Sequence, residues 1–224
     1  MVCRRDDPSD PDNSLHLTKT KERKMHSNNM SDDDYIGAVV TDASSDRIRA
    51  TLVRTVEAAT GLPWDVARRG FEVTDVTEDE TAASECVCGQ PNLRYLYTIE
   101  HRDGAVLHPI GSDCINHFGV VGMVNKARTL RHLHDVAAVV ARGGHLTLRG
   151  PGRNLTAARL LALYDSGAFA PSVWNGGDPI HDYDFLLKMF RKRTEPSPRQ
   201  AAKIAALLGE IERFVTTASM GGAA

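Results

Sequence analysis

The fold of this chain is decided by the stretch that opens with CVCG at residues 86–89 and closes with GSDCINHF at residues 111–118. The two cysteines of the first motif flank a single residue, so both sulfurs can point to one side of a tight turn. The cysteine and the histidine of the second motif stand three residues apart and share one face of a helix. Such N and S donors are typical of a structural zinc site. We therefore predict one zinc ion with four ligands: Cys86, Cys88, Cys114 and His117.

The residues between the two motifs predict a β-hairpin. Asn92–Glu100 is rich in aromatic and β-branched residues and predicts a strand. An Asp-Gly pair at residues 103–104 is a strong hairpin signal, and Ala105–Ile110 forms the predicted return strand. Ser112 or Asp113 can then cap a helix. The order of knuckle, hairpin and helix is that of a treble-clef zinc finger.

Two parts of the zinc hypothesis have alternatives. His101 at the turn and His108 on the return strand compete with His117 for the place of the fourth ligand. The three cysteines could also be buried, reduced and inert. A disulfide is disfavoured because the N-terminus has no apolar segment typical of a signal peptide, and for the same reason we expect a cytoplasmic protein.

Outward from the finger, the sequence predicts an α+β fold with a small N-terminal α/β element over residues 35–118. A helix is predicted from Arg47 to Thr60, a short helical turn from Pro63 to Gly70, a strand from Phe71 to Thr77 and a second short strand from Ala82 to Cys86. Residues 1–34 are polar and poor in apolar side chains, which indicates a disordered tail or a start codon chosen too early, with Met30 as the natural start.

The C-terminal half, residues 119–216, is predicted to be mostly helical. Apolar spacing predicts helices at 120–142, at 154–163 with Asn154 as the cap, at 180–193, and from Ser197 to about Val215. A short strand is predicted over residues 145–149, and a disordered tail is predicted for residues 217–224.

The charge of the chain is unevenly distributed. Residues 35–118 carry an excess of Asp and Glu, whereas residues 119–224 carry an excess of Lys and Arg. A basic half of this kind can contact nucleic acid through its phosphates, without reading the base sequence. The candidate phosphate contacts are Lys126, Arg128, Arg131, Arg149, Arg153, Lys188, Arg191, Lys192 and Arg193.

These features favour a zinc-stabilised accessory protein that binds DNA or RNA and is not an enzyme. One alternative is a protein-interaction adapter whose apolar helix faces dock a partner, because treble clefs serve both uses. A second is a metal-dependent nuclease of the HNH type, with His101 or His108 as the general base. The sequence contains no Walker-type phosphate loop and no zinc-protease, esterase or EF-hand motif, and no small-molecule cofactor is evident.

The finger resembles a family of small, poorly characterised zinc-finger proteins from bacteriophages and mobile elements. The resemblance is carried by the Cys-x-Cys-Gly motif, the aromatic strand, Gly104, the segment 110–115 and Phe118, and more loosely by a tail with Phe185, Arg191–Arg193 and Pro198-Arg199-Gln200. It implies zinc binding and a role with nucleic acid, but no defined reaction. Some relatives carry a His two residues after the second cysteine, where this chain has Gln90.

Overall fold

The computed structural model describes residues 42–221. The elements are α1 (Asp42–Thr60), α2 (Trp64–Ala67), β1 (Phe71–Glu78), β2 (Tyr95–His101), β3 (Val106–Ile110), α3 (Ser112–His117), α4 (Val121–Ala141), α5 (Ala157–Asp165), a 3₁₀ turn (Val173–Asn175), α6 (Ile180–Arg191) and α7 (Pro198–Gly221). The three strands form one antiparallel sheet in the order β1-β2-β3. The predicted α+β class is therefore confirmed for this range. No helix within it combines the length and the apolar character needed to cross a bilayer.

The predicted hairpin is confirmed. β2 pairs with β3 so that Ile99 lies opposite Leu107, and Gly104 in the turn has a φ of 96°, a left-handed conformation that glycine adopts without strain. β1, which matches the predicted strand from Phe71, pairs with the other edge of β2, with Phe71 opposite His101. The hairpin therefore belongs to a sheet that also includes a strand from outside the segment 86–118.

The predicted helices at 47–60, 120–142, 180–193 and 197–215 are confirmed, with small shifts at their ends. At the start of α7 the predicted capping box forms, because the Gln200 backbone N–H donates to Ser197 Oγ at 3.3 Å and the Ser197 N–H donates to Gln200 Oε1 at 3.0 Å. α7 continues to Gly221, beyond the predicted end near Val215.

Two predicted short strands are wrong. Residues 82–86 contribute only an isolated bridge between Ser84 and Leu93, because the Asp79 carboxylate accepts three backbone N–H groups from the residues that follow it and curls the chain into a turn. Residues 145–149 join no strand of the sheet. Local side-chain hydrogen bonds of this kind replace the strand pairing that the residue pattern predicted.

Two predicted helix caps are also wrong. The Asn154 side chain accepts the Thr147 N–H at 2.8 Å instead of capping α5, and Thr156 takes the cap position. α3 has no side-chain cap, so neither Ser112 nor Asp113 has the predicted role.

The buried apolar side chains form two clusters that share one helix. The first cluster includes residues of the sheet and the three cysteines, and the N-terminal part of α4 contributes Met123 and Ala127 to it. The second lies among the helices of the C-terminal half, and the C-terminal part of α4 contributes Val136. α4 therefore connects the sheet and the cysteine cluster to the helical half.

A polar network lies where α4 crosses the sheet. The Tyr95 hydroxyl donates to Asp135 Oδ1 at 3.0 Å, and Arg159 from α5 pairs with Asp135 Oδ2 at 2.7 Å. Glu78 on β1 pairs with Arg94 at 2.8 Å. The Asp135 side chain is only 13% exposed, so removing one partner would leave a largely buried charge uncompensated. The network ties strand β2 to both helices.

Gly70→Ala tests the packing beneath the sheet. A Cβ at Gly70 would lie 2.0 Å from Nε2 of His101, a side chain that is 2% exposed. This ring packs on Phe71 with a centroid separation of 4.8 Å and contacts the Asp103 carboxylate, so it cannot easily move away from an added methyl group. We expect the variant to lose about 1–3 kcal/mol of unfolding free energy in urea titrations.

Gly209→Ala is the matched control, because it lies in α7 and its added Cβ meets no heavy atom within 4 Å. There we expect a gain of up to about 1 kcal/mol from helix propensity. Equal denaturation midpoints for Gly70→Ala and the wild type would contradict the packing described for His101.

Candidate metal centre and basic surface

The first motif forms a tight turn that is bonded to the end of β3. The Cys86 N–H donates to the Gln90 carbonyl at 2.8 Å, and Gly89, with a φ of 89°, donates to the Cys86 carbonyl at 2.8 Å. The Val87 N–H reaches across to the Pro109 carbonyl at 3.0 Å. The return strand of the hairpin therefore positions both cysteines of the knuckle.

The second motif brings a third sulfur to the same place. Gly111 precedes α3, and an added Cβ there would lie 2.9 Å from a methyl carbon of Leu93, so the chain approaches closely at this point. Cys114 then lies in the first turn of α3. Its sulfur is 3.5 Å from that of Cys86 and 3.2 Å from that of Cys88.

The three sulfurs form a group that could hold a metal ion. Within residues 42–221, Cys86, Cys88 and Cys114 are the group whose candidate ligand atoms all lie within 4.8 Å of one another, and all three are buried. Their separations exceed the ~2.05 Å of a disulfide bond, so the thiols are free. The predicted convergence of these three cysteines is confirmed.

The thiols affect one another's protonation. The hydrogen bond shared with Cys114 lowers the pKa of the Cys86 thiol to about 5, and the same contact raises the pKa of Cys114. Burial raises the pKa of the Cys88 thiol. Three thiolates this close together repel one another, and a bound cation is what would allow all three to ionise.

The donor set fits a metal ion that prefers soft ligands. Thiolate sulfur selects zinc, copper(I) or iron over magnesium and calcium. The Gly111 N–H also points at Cys86 Sγ from 3.4 Å, as the outer hydrogen bonds of metal-bound thiolates do. These residues would hold the ion and tie the knuckle to α3.

The three histidines predicted as candidates for the fourth ligand have different surroundings. His101 Nδ1 lies 2.6 Å from Asp103 Oδ1, and the exposed His108 pairs with Thr98 Oγ1 at 3.0 Å. His117 ends α3 and is half-buried. None of the three belongs to the sulfur group of the described residues, so the choice of His117 stays a prediction.

The burial of His101 also bears on the nuclease alternative. His101 is 2% exposed and its Nε2 faces Gly70, so a substrate could reach this nitrogen only if Gly70 moved. This arrangement argues against His101 as a general base.

The predicted basic residues fall into two groups, the larger of which lies at the C-terminal end of α6. Arg149 donates to the Met189 carbonyl at 3.2 Å, and the Arg153 guanidinium lies 4.9 Å from the centre of the Phe190 ring. Both therefore join the cations of residues 188–193. We call this group the α6 basic cluster, and its members are Arg149, Arg153, Lys188, Arg191, Lys192 and Arg193.

The smaller group lies on α4, where Lys126 and Arg128 are exposed. Arg131 is half-buried, with its guanidinium 4.4 Å from the centre of the Tyr95 ring, so it contributes to the packing of that ring. Its role as a phosphate contact stays a prediction.

Two cations that the sequence analysis did not single out lie beside Lys126. Arg69 and Arg102 line the same hollow of about 500 Å³ as Lys126, together with Glu72. The three cations come from segments far apart in the sequence, so no spacing rule could have grouped them.

Comparison with protein families, with curated proteins and with solved structures finds no significant match to the chain. The resemblance of the finger to phage and mobile-element proteins therefore stays a prediction, and the function is argued from the site itself.

Cys88→Ser tests the metal centre. We expect the purified wild-type chain to contain about one equivalent of a thiophilic metal and the variant to lose most of it, as measured by elemental analysis. Because binding energy at such a site is also folding energy, the variant should lose about 4 kcal/mol or more of stability.

Cys3→Ser is the control, because Cys3 is distant in the sequence from the three cysteines and lies in the polar segment of residues 1–34. It should leave metal content and stability unchanged. A well-folded wild-type protein without metal would contradict the assignment.

Proposed function

We propose that the bound metal is a single structural zinc ion and that the segment 86–118 is a treble-clef finger. The proposal is supported by the order of knuckle, hairpin and helix and by the three converging sulfurs. Tetrahedral zinc with Zn–S bonds of about 2.3 Å holds its sulfurs about 3.8 Å apart. The separations of 3.2 and 3.5 Å need only a small expansion to reach this value.

His117 is the fourth ligand in this proposal. It stands one helical turn after Cys114, and residues with this spacing lie on one side of a helix. Among the residues that the structure describes, the His117 ring has no hydrogen-bond or ion-pair partner, whereas His101 and His108 each have one. A change of side-chain rotamer at His117 is therefore not opposed by the loss of another bond.

His117→Ala should weaken zinc binding by more than about 100-fold in a chelator competition, because loss of even an outer-shell partner costs about 10–100-fold. The cobalt-substituted protein should show a shifted d–d spectrum while its thiolate-to-cobalt band remains. His108→Ala is the control and should change neither measurement. An unchanged spectrum for His117→Ala would show that another group completes the site.

We further propose that the protein is a non-enzymatic accessory protein that binds DNA or RNA. The observation that carries this proposal is the α6 basic cluster. Tertiary contacts at Met189 and Phe190 bring Arg149 and Arg153 to the four cations of residues 188–193. Acidic side chains also lie near them: Glu195 is 3.9 Å from Arg149 and 93% exposed, Glu212 lines a hollow with Arg149, and Asp184 lines one with Lys188.

A positive surface of this kind suits a phosphate backbone. Lys188, Arg191 and Arg193 are exposed and able to reach phosphates, whereas Lys192 donates to Gln200 at 2.8 Å and Arg149 bonds to the end of α6. We therefore assign most of the binding to the three exposed cations. The hollow lined by Arg69, Arg102 and Lys126 offers a second contact for the same ligand.

The double variant Lys188→Ala/Arg191→Ala tests this surface. We expect weaker binding to both a DNA duplex and a single-stranded RNA of mixed sequence, measured by fluorescence anisotropy from 50 to 200 mM salt. The slope of log K against log salt should fall by about 1.8 for the duplex and about 1.4 for the single strand, because two phosphate contacts are lost.

Arg47→Ala/Arg49→Ala removes the same charge from the exposed face of α1 and is the matched control. It should leave the slope close to that of the wild type. If the wild type binds neither probe at the lowest salt concentration, or if both double variants lose the same slope, the proposed surface is wrong.

A further inference from the structure

The 3₁₀ turn Val173–Asn175 exposes two apolar side chains. Val173 is 94% exposed and Trp174 is 91% exposed, so nothing in the described chain covers either of them. The other tryptophan, Trp64, packs against Phe118 with a ring separation of 5.1 Å. Isolated exposed apolar residues are ordinary, but a fully exposed tryptophan next to a fully exposed valine is not.

The backbone that presents these two side chains is held firmly. Asn175 is 3% exposed, its Oδ1 accepts the N–H of Ser172 at 2.8 Å, and its Nδ2 donates to the Ala170 carbonyl at 2.9 Å. The Asn175 N–H donates to Ser172 Oγ at 3.3 Å, which completes a reciprocal capping box. Gly176, with a φ of 68°, then turns the chain away.

The turn is also anchored to the helices behind it. Asn175 Nδ2 lies 2.8 Å from Asp182 Oδ2 at the start of α6, and Asp182 Oδ1 pairs with Lys203 of α7 at 2.7 Å. His181 contacts the Asn175 carbonyl at 2.8 Å. The turn is therefore preorganised, and binding a partner would cost little conformational entropy in this segment.

The charges around the turn select the kind of partner. Between residues 160 and 187 the chain has no Lys or Arg but has four aspartates, at positions 165, 178, 182 and 184. Lys203 compensates only Asp182. Asp182 is buried, whereas Asp165, Asp178 and Asp184 are exposed. Exposed carboxylates in a stretch without Lys or Arg repel a phosphate backbone and an anionic membrane, so base stacking on Trp174 and insertion into lipid are both disfavoured.

We propose that Val173 and Trp174 form a docking tip for a second protein that presents an apolar pocket with a basic rim. The tip protrudes, so its partner must be concave, and tryptophan is among the residues that most often dominate binding energy at protein interfaces. This inference does not depend on the zinc site or on the α6 basic cluster.

The first part of the test uses a photo-crosslinking amino acid in place of Val173 in the full chain, expressed in its native cells. Crosslinked species are identified by mass spectrometry, and the crosslinked protein is then purified and titrated against the wild type. We expect Trp174→Ala to weaken this binding by at least roughly thirty-fold, and we expect added salt to weaken the wild-type complex.

Leu161→Ala is the matched control, because Leu161 is also exposed, at 46%, but lies on α5. It should change the dissociation constant by less than about two-fold. Since Trp174 is 91% exposed, its truncation removes little packing, and unchanged thermal unfolding of Trp174→Ala confirms this point.

The second part tests, with defined probes, whether nucleic acid or an anionic membrane binds the tip instead. The difference in fluorescence between the wild type and Trp174→Phe reports on Trp174 during titration with a single-stranded oligonucleotide or with vesicles of anionic phospholipid. A blue shift with either probe overturns the proposal. Crosslinks only to a second copy of the chain or only within the chain overturn it as well, as do an absence of crosslinks and a partner whose affinity is insensitive to Trp174→Ala.

Discussion

Three thiols from two segments about 25 residues apart in the sequence share one buried space, and the surrounding structure is built to hold them there. The hairpin brings the segments together, the bond from Val87 to Pro109 fixes the knuckle, and the glycine at position 111 allows the close approach to Leu93. Buried thiolates at these separations repel one another, so a cation bound there would stabilise the fold that assembles the site.

The segment 86–118 is joined to the rest of the described chain by α4. Its N-terminal part packs in the core that contains the three cysteines, and its C-terminal part packs in the helical core. The network around Asp135 fixes this crossing with charged and aromatic partners from the sheet and from α5. In the proposed division of roles, the metal centre holds the fold, and the surfaces that meet other molecules lie elsewhere on it.

Those surfaces differ in charge and in shape. The α6 basic cluster contains exposed cations suited to a phosphate backbone, with Lys188, Arg191 and Arg193 among them. The tip at Val173 and Trp174 is apolar and lies in an acidic stretch of the chain. α6 links the two, because Asp182 in its first turn anchors the tip and its last turn carries the cations. α6 thus holds the apolar tip at its start and carries basic residues at its end.

The sequence predicted the elements that depend on turn residues, capping residues and apolar spacing, and it was wrong where a polar side chain bonded to the backbone of a loop or turn instead. The Asp-Gly turn, the apolar spacing of α4 and the capping box at Ser197 depend on neighbouring residues, and all of them form. Asn154 is of a residue type that often caps helices, but its side chain bonds to Thr147 across the loop. Asp79 likewise turns a predicted strand into a bend.

By itself the sequence determined the three cysteines that converge, the hairpin that joins them and the α+β class, because knuckle spacing and the turn residues act over short distances. Only the tertiary structure decided that Arg149 and Arg153 meet the cations of residues 188–193, and that Arg69 and Arg102 lie beside Lys126. It also decided that Trp174 is exposed while Trp64 is packed in the core. Exposure and long-range charge grouping depend on how the elements pack, which no local pattern in this chain encodes.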